Sequence, residues 1–97
     1  MKVEYHPQSV DDLNTAIAYY NKLRPNLGDV LRNEVYAAID RMVSNPARYP
    51  VIERGVRRCF IHRFPYSILY RLIEPDRVRV LVIRHHRRQS DFGQERR

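Results

Sequence analysis

The sequence has a single cysteine, only three glycines, no lysine after Lys22 and no long hydrophobic run. Each scarcity excludes something. Cys59 cannot close an internal disulfide, and it has no second thiolate with which to build a cysteine zinc site. It lies mid-strand among apolar residues, so it reads as a small packed hydrophobe rather than a reactive thiol. No glycine-rich segment offers a phosphate loop. The longest apolar runs, such as Val80 to Ile83, fall far short of the roughly 20 residues that span a bilayer. No basic start followed by an apolar stretch marks a signal peptide. A cytoplasmic protein without a membrane partner is expected. His6 and His62 stand alone, and the adjacent His85 and His86 point to opposite faces of a strand, so neither a metal site nor a cofactor is expected.

What the chain does have is arginine. Its 97 residues carry 18 Lys and Arg against 11 Asp and Glu, a net charge of +7. Residues 1–48 are neutral, with six basic and six acidic side chains, whereas residues 49–97 hold twelve arginines and five acids. A one-sided excess of this kind steers and holds a polyanionic partner, either nucleic acid or an acidic protein segment. Charge serving solubility alone would more naturally use Lys and Glu. No repeat, low-complexity tract or linker interrupts the chain, so residues 1–97 read as one small domain with one modest core.

Periodicity orders that domain. Val3 and Tyr5 share one face of a brief first strand that ends at His6-Pro7. Ser9 then reads as a helix cap, with Asp12 at the return position of a capping box. Leu13, Ala16, Ile17, Tyr20 and Leu23 form one apolar helical stripe that Arg24-Pro25-Asn26 stops. Leu27, Leu31, Val35, Ala38, Ile39, Met42 and Val43 form a second, which ends at Ser44-Asn45-Pro46. From Tyr49 the period becomes that of strands. Tyr49 to Glu53, Val56 to Phe64, Ser67 to Ile73 and Val78 to His85 are separated by turns too short for parallel crossovers. The expectation is an α+β fold of two layers in the order β-α-α-β-β-β(-β), with a helical hairpin on one face of a small antiparallel sheet. The other face is expected to be open and to collect arginines. A plainer alternative leaves those arginines snorkelling at the sheet rim and pairing with helix acids.

Several segments then become recognisable together. Tyr5-His6-Pro7 with Asp11-Asp12-Leu13 and Tyr19-Tyr20, Asn45-Pro46 before Tyr49-Pro50, and Val56-Arg57-Arg58 follow in order. After them come Arg63-Phe64-Pro65-Tyr66 with Ile68 and Tyr70, then Val80-Leu81-Val82-Ile83-Arg84-His85 with Arg87-Arg88. In order and spacing the chain resembles the RelE/ParE superfamily of bacterial type II toxins over nearly its whole length. The resemblance implies a cytoplasmic growth inhibitor neutralised by a cognate antitoxin in a toxin–antitoxin hetero-oligomer. An acidic antitoxin would complement the basic half of the chain.

The superfamily implies two mechanisms. RelE-like members cleave mRNA on the ribosome, where a 2′-hydroxyl attacks its adjacent phosphate and requires a base, a cation and an acid. Arg84, His85 and Arg88 are the catalytic candidates in that case, with His86 an alternative to His85. Arg57, Arg58 and Arg63 would grip phosphate, and Tyr66, Arg71 and Arg87 complete the binding candidates. The chain departs from that pattern: it has no lysine in its strands, and Phe92, its C-terminal aromatic, carries no proton to transfer. ParE-like members bind DNA gyrase and stabilise its cleaved complex without chemistry of their own. Arg63-Phe64-Pro65-Tyr66 and His85-His86-Arg87-Arg88 are similar to that branch. An inactive toxin homologue, or a basic nucleic-acid-binding module outside the family, stands as the alternative.

Overall fold

The computed structural model describes residues Met1–Arg97. Strand β1 (Lys2–Tyr5) leads into helices α1 (Pro7–Leu23) and α2 (Leu27–Ser44). A 3₁₀ turn (Pro46–Arg48) then precedes β2 (Val51–Glu53), β3 (Val56–Phe60), β4 (Tyr66–Ile73) and β5 (Arg77–His85).

The first helix starts three residues earlier than the capping-box reading, and through a different residue. His6 is the cap, its Nδ1 accepting the Gln8 N–H at 3.1 Å, and Pro7 occupies the first turn, where its missing N–H costs nothing. Ser9 is inside the helix, fully buried, with its hydroxyl donating to the His6 carbonyl at 2.7 Å. The stripes behave as expected. Ala16 and Ile17 of α1 and Leu31, Val35, Ala38, Ile39 and Met42 of α2 are buried in one cluster with Cys59, Ile61, Ile68, Tyr70, Val78, Val80 and Ile83 of the sheet side. Burying each of the larger side chains stabilises the fold by roughly 1.5–3 kcal/mol. The hairpin closes tightly at Gly28, whose N–H donates to Asn21 Oδ1 at 2.7 Å and whose Cα leaves no room for a side chain against the Ile17 carbonyl.

The sheet order is β1-β5-β4-β3-β2. Strands β2 to β5 form the expected antiparallel meander. The sheet as a whole is mixed, because β1 pairs parallel with β5, Val3 opposite Val78 and Tyr5 opposite Val80. Short connections constrain only the strands they join, and β1 is separated from the meander by both helices. β3 ends at Phe60 rather than Phe64, since Arg63 takes a left-handed φ of 73° and Ile61 N–H bonds back to the Tyr66 carbonyl at 3.0 Å. Strand pairing of β2 likewise begins at Val51, after the 3₁₀ turn and Pro50.

The face away from the helices is not open. Between β4 and β5 the register passes from Leu69 opposite Val82 to Tyr70 opposite Val80. Leu81 is therefore the extra residue of a bulge, and both it and Val82 reach the outer face. They cluster there with Val56 and Leu69, and Phe92 packs against them. The residues after β5 thus settle on their own sheet. Gly93, at φ 79°, lies so close to Val82 that a Cβ would stand 2.5 Å from a Val82 methyl.

Candidate functional site

Where the middle of α1, the end of β5 and the C-terminal segment meet, they enclose a concavity of about 420 Å³. Asp12, Ala16 and Tyr19, at helical spacing on one face of α1, form one wall. Tyr66 and His85, opposite each other in the β4–β5 register, form a second. Arg88 and Phe92, past the end of β5, close it. Tyr66 is held by its neighbours: Tyr20 of α1 meets Phe64 and Tyr66 edge-on, with ring centroids 5.2 and 6.2 Å away.

His85 is fixed in orientation and tautomer. Its Nδ1 accepts the Arg87 N–H at 2.9 Å, and its ring stands edge-on to Tyr66 at 5.0 Å. A backbone N–H can only donate, so Nδ1 has no proton and Nε2 carries one in the neutral ring. Burial, then the charges of Arg87, His86 and Arg88, hold its pKa below the usual histidine value. Burial also raises the Tyr66 phenol. The guanidinium groups of Arg88 and Arg96 lie 4.6 and 5.3 Å from the Phe92 ring centroid, anchoring that segment by cation–π contact.

The concavity therefore offers an N–H donor from His85, the Arg88 cation, hydroxyls of Tyr19, Tyr66 and Thr15, and the carboxylates of Asp11 and Asp12. It can hold a mixed polar and aromatic group. It is poorly suited to cleaving a phosphodiester, because His85, with Nδ1 taken by the Arg87 N–H and a proton on Nε2, has no free basic nitrogen to take a proton from a hydroxyl. No three His, Cys, Asp or Glu side chains converge to hold a metal ion.

Of the residues singled out in the sequence, the structure brings together Tyr66, His85 and Arg88. The others are dispersed. Arg57 faces the helix layer, donating to the Ala47 and Tyr49 carbonyls at 3.0 and 2.7 Å and so tying the 3₁₀ turn to β3. Arg63 lies 3.4 Å from Glu34 of α2. Arg58, Arg71 and Arg84 belong to the outer face: Arg58 stacks on Phe60, Arg71 donates to the Arg54 carbonyl, and Arg84 donates to Ser90 and Phe92 carbonyls at 2.8 and 3.4 Å. Arg87 is exposed in the turn after β5. Asp12, Thr15 and Tyr19 joined the site unannounced. The spacing Asp12, Ala16, Tyr19 on one helix face was the only signal available for them, and it reads equally well as part of a helix surface.

The model of the ParE toxin of type II toxin–antitoxin systems, parDE, matches residues 3–90. The chain belongs to the ParE toxin family. The match runs from β1 through the turn after β5, so it includes His85 and Arg88 and stops short of Phe92 and Arg96. Among solved structures, a chain of the chromosomal ParDE toxin–antitoxin system from P. aeruginosa is similar in fold, with a TM-score of 0.74 and 21% sequence identity. The likeness covers 88% of this chain and 95% of that one. No curated protein matches the sequence. As a ParE-family toxin the chain is one half of a toxin–antitoxin pair, and a cognate antitoxin is its partner. No helix of this ParE-family chain is long and apolar enough to cross a membrane.

Proposed function

We propose that this ParE-family toxin arrests growth in the cytoplasm by binding DNA gyrase and stabilising its cleaved complex with DNA, with no bond-breaking step of its own. The antitoxin's acidic residues cover the arginine-rich half until the toxin is released. The observation that carries this reading is the separation of Arg84 from His85. The two side chains leave opposite faces of β5, and Arg84 is already engaged by the Ser90 and Phe92 carbonyls. Cleavage of RNA by a neighbouring hydroxyl needs base, cation and acid around a single phosphate. Here the tautomer of His85, with no lone pair free to take a proton, and the absence of a transferable proton on Phe92 both weigh against that assembly. Tyr66, Arg87 and Arg88, grouped at the end of β5, are the residues assigned to target contact.

Ribosome-dependent mRNA cleavage is the second reading, favoured by the meeting of His85 and Arg88 in one concavity. Two assays decide between them. Purified toxin incubated with gyrase and supercoiled plasmid is expected to yield trapped, cleaved plasmid, while ribosome-bound mRNA stays intact. Cleaved mRNA with untouched gyrase would overturn the gyrase reading. Inducible expression without antitoxin is expected to stop growth, and unimpaired growth with soluble toxin would sink both.

A further inference from the structure

Phe60 is 53% exposed, more than any other large apolar residue of the strands. It sits on the outer face at the end of β3 beside three other side chains. The Arg58 guanidinium lies over its ring, 4.8 Å from the centroid, and the His86 ring meets it edge-on at 5.4 Å. His86 is held in place from two sides: its Nε2 is 3.0 Å from the buried Ser67 hydroxyl, and its N–H donates to the Pro65 carbonyl at 2.9 Å. The Arg58 guanidinium has no ion-pair or hydrogen-bond partner in the chain, its Nε being covered and unpaired, and a bare ring forgoes the stabilisation that burial would bring. The unpaired cation and the bare ring lie side by side.

We infer that this end of β3 is a docking site for an acidic polypeptide segment, with a carboxylate on Arg58 and an apolar side chain two residues away on Phe60. Arg58 and Phe60 are themselves two positions apart on one strand face, and an extended partner presents side chains i and i+2 with the same spacing. A carboxylate takes the guanidinium fork with two hydrogen bonds. The net charge of +7 favours an acidic partner. Nucleic acid fits less well. Each strand of a duplex brings a charge about every 3.4 Å and needs a track of free cations. On this face Arg71 and Arg84 are held by backbone carbonyls, and Arg77 and Arg79 by Glu4. The inference rests on the reading of the chain as a protein-binding toxin, and it adds to the contact at the end of β5 a second one on the outer face.

The test uses a blocked peptide of two Glu-Ser-Leu-Ser repeats, titrated into the isotopically labelled full chain while Arg58 Nε–H and Phe60 ring resonances are followed. Saturable shifts centred on Arg58, Phe60 and His86 are expected. Binding is expected to weaken at least tenfold in Arg58→Gln, in Arg58→Lys, which keeps charge but loses the fork, and in Phe60→Ser. Arg24→Gln, which removes the same charge from the helical hairpin, is expected to bind like the unaltered chain. Equal binding by all variants, absence of saturable shifts up to millimolar peptide, or tighter occupation of the same resonances by a thymidine decamer would overturn the inference. The assay contains neither gyrase nor ribosome. Peptide binding without gyrase trapping would count against the target, and trapping that survives Arg58→Gln would count against this site.

Discussion

Asp12 and Arg96 meet as a buried ion pair, with Arg96 Nη1 2.6 Å from Asp12 Oδ2 and side-chain exposures of 10% and 6% respectively. The pair joins the first helix to the penultimate residue. It also closes an edge: β1 ends opposite Val80, so beyond that point one side of β5 has no strand to bond. There Asp12 accepts the Ile83 N–H at 3.1 Å and Arg96 donates to the Leu81 carbonyl at 3.0 Å. The two side chains replace the missing ladder, and the C-terminal segment lies over the outer apolar cluster because of it.

Removing one partner of such a pair leaves a buried charge uncompensated. Asp12→Ala is expected to destabilise the protein by about 3–5 kcal/mol in urea unfolding and to accelerate hydrogen exchange at the Ile83 amide. A loss under about 1 kcal/mol, the range of a surface pair, would contradict the assignment.

A second expectation concerns Gly28. Glycine to alanine inside an ordinary helix gains up to about 1 kcal/mol. At Gly28 the new methyl would collide with the Ile17 carbonyl and the Asn21 side chain. Gly28→Ala is therefore expected to cost about 1–3 kcal/mol through forced separation of the two helices. A rise in Tm would show that the hairpin is looser than its geometry.

His85 makes stability depend on pH. Its folded-state pKa lies below the usual histidine value because burial and neighbouring arginines disfavour the charged ring. The unfolded chain thus binds the proton first as pH falls, so stability is complete above about pH 6.5, the unperturbed histidine pKa, and declines below it. His85→Asn supplies an acceptor for the Arg87 N–H without titrating. Its unfolding free energy is expected to vary less between about pH 5 and pH 7.5 than that of the unaltered protein. Parallel profiles would remove His85 as the cause.

Cys59 is 1% exposed, and burial raises its thiol pKa. Aromatic disulfide reagents at mildly alkaline pH are expected to leave it unmodified in the native protein and to react in step with urea unfolding. Rapid native labelling would mean that the α2–β3 seam opens.

The two helices and the meander were legible because their signals are local. Stripes at three- and four-residue spacing, and turns of a few residues, depend on neighbours in the chain, so Leu31 and Val35 could be placed on an apolar helix face from the sequence. Strand parity was legible too: it separated His85 from His86. The capping residue was misread because Ser9 and Asp12 have the right side chains for a cap, whereas His6 does the work through Nδ1 one residue before Pro7. The concavity was only half legible, since Tyr66, His85 and Arg88 lie near the end of the meander but Asp12 and Tyr19 come from the first helix.

By itself the sequence determined the helical hairpin, the four-strand meander and the confinement of positive charge to the second half, because side-chain periodicity and charge count are properties of neighbouring residues. Tertiary structure alone decided that β1 enters parallel to β5, that a bulge at Leu81 turns two adjacent apolar residues outward, and that Arg96 returns to Asp12. It also decided which arginines are free. A guanidinium is a binding group only where no carbonyl or carboxylate has already taken it, and those acceptors, from Ala47 for Arg57 to Glu4 for Arg79, are brought within reach only when distant segments pack.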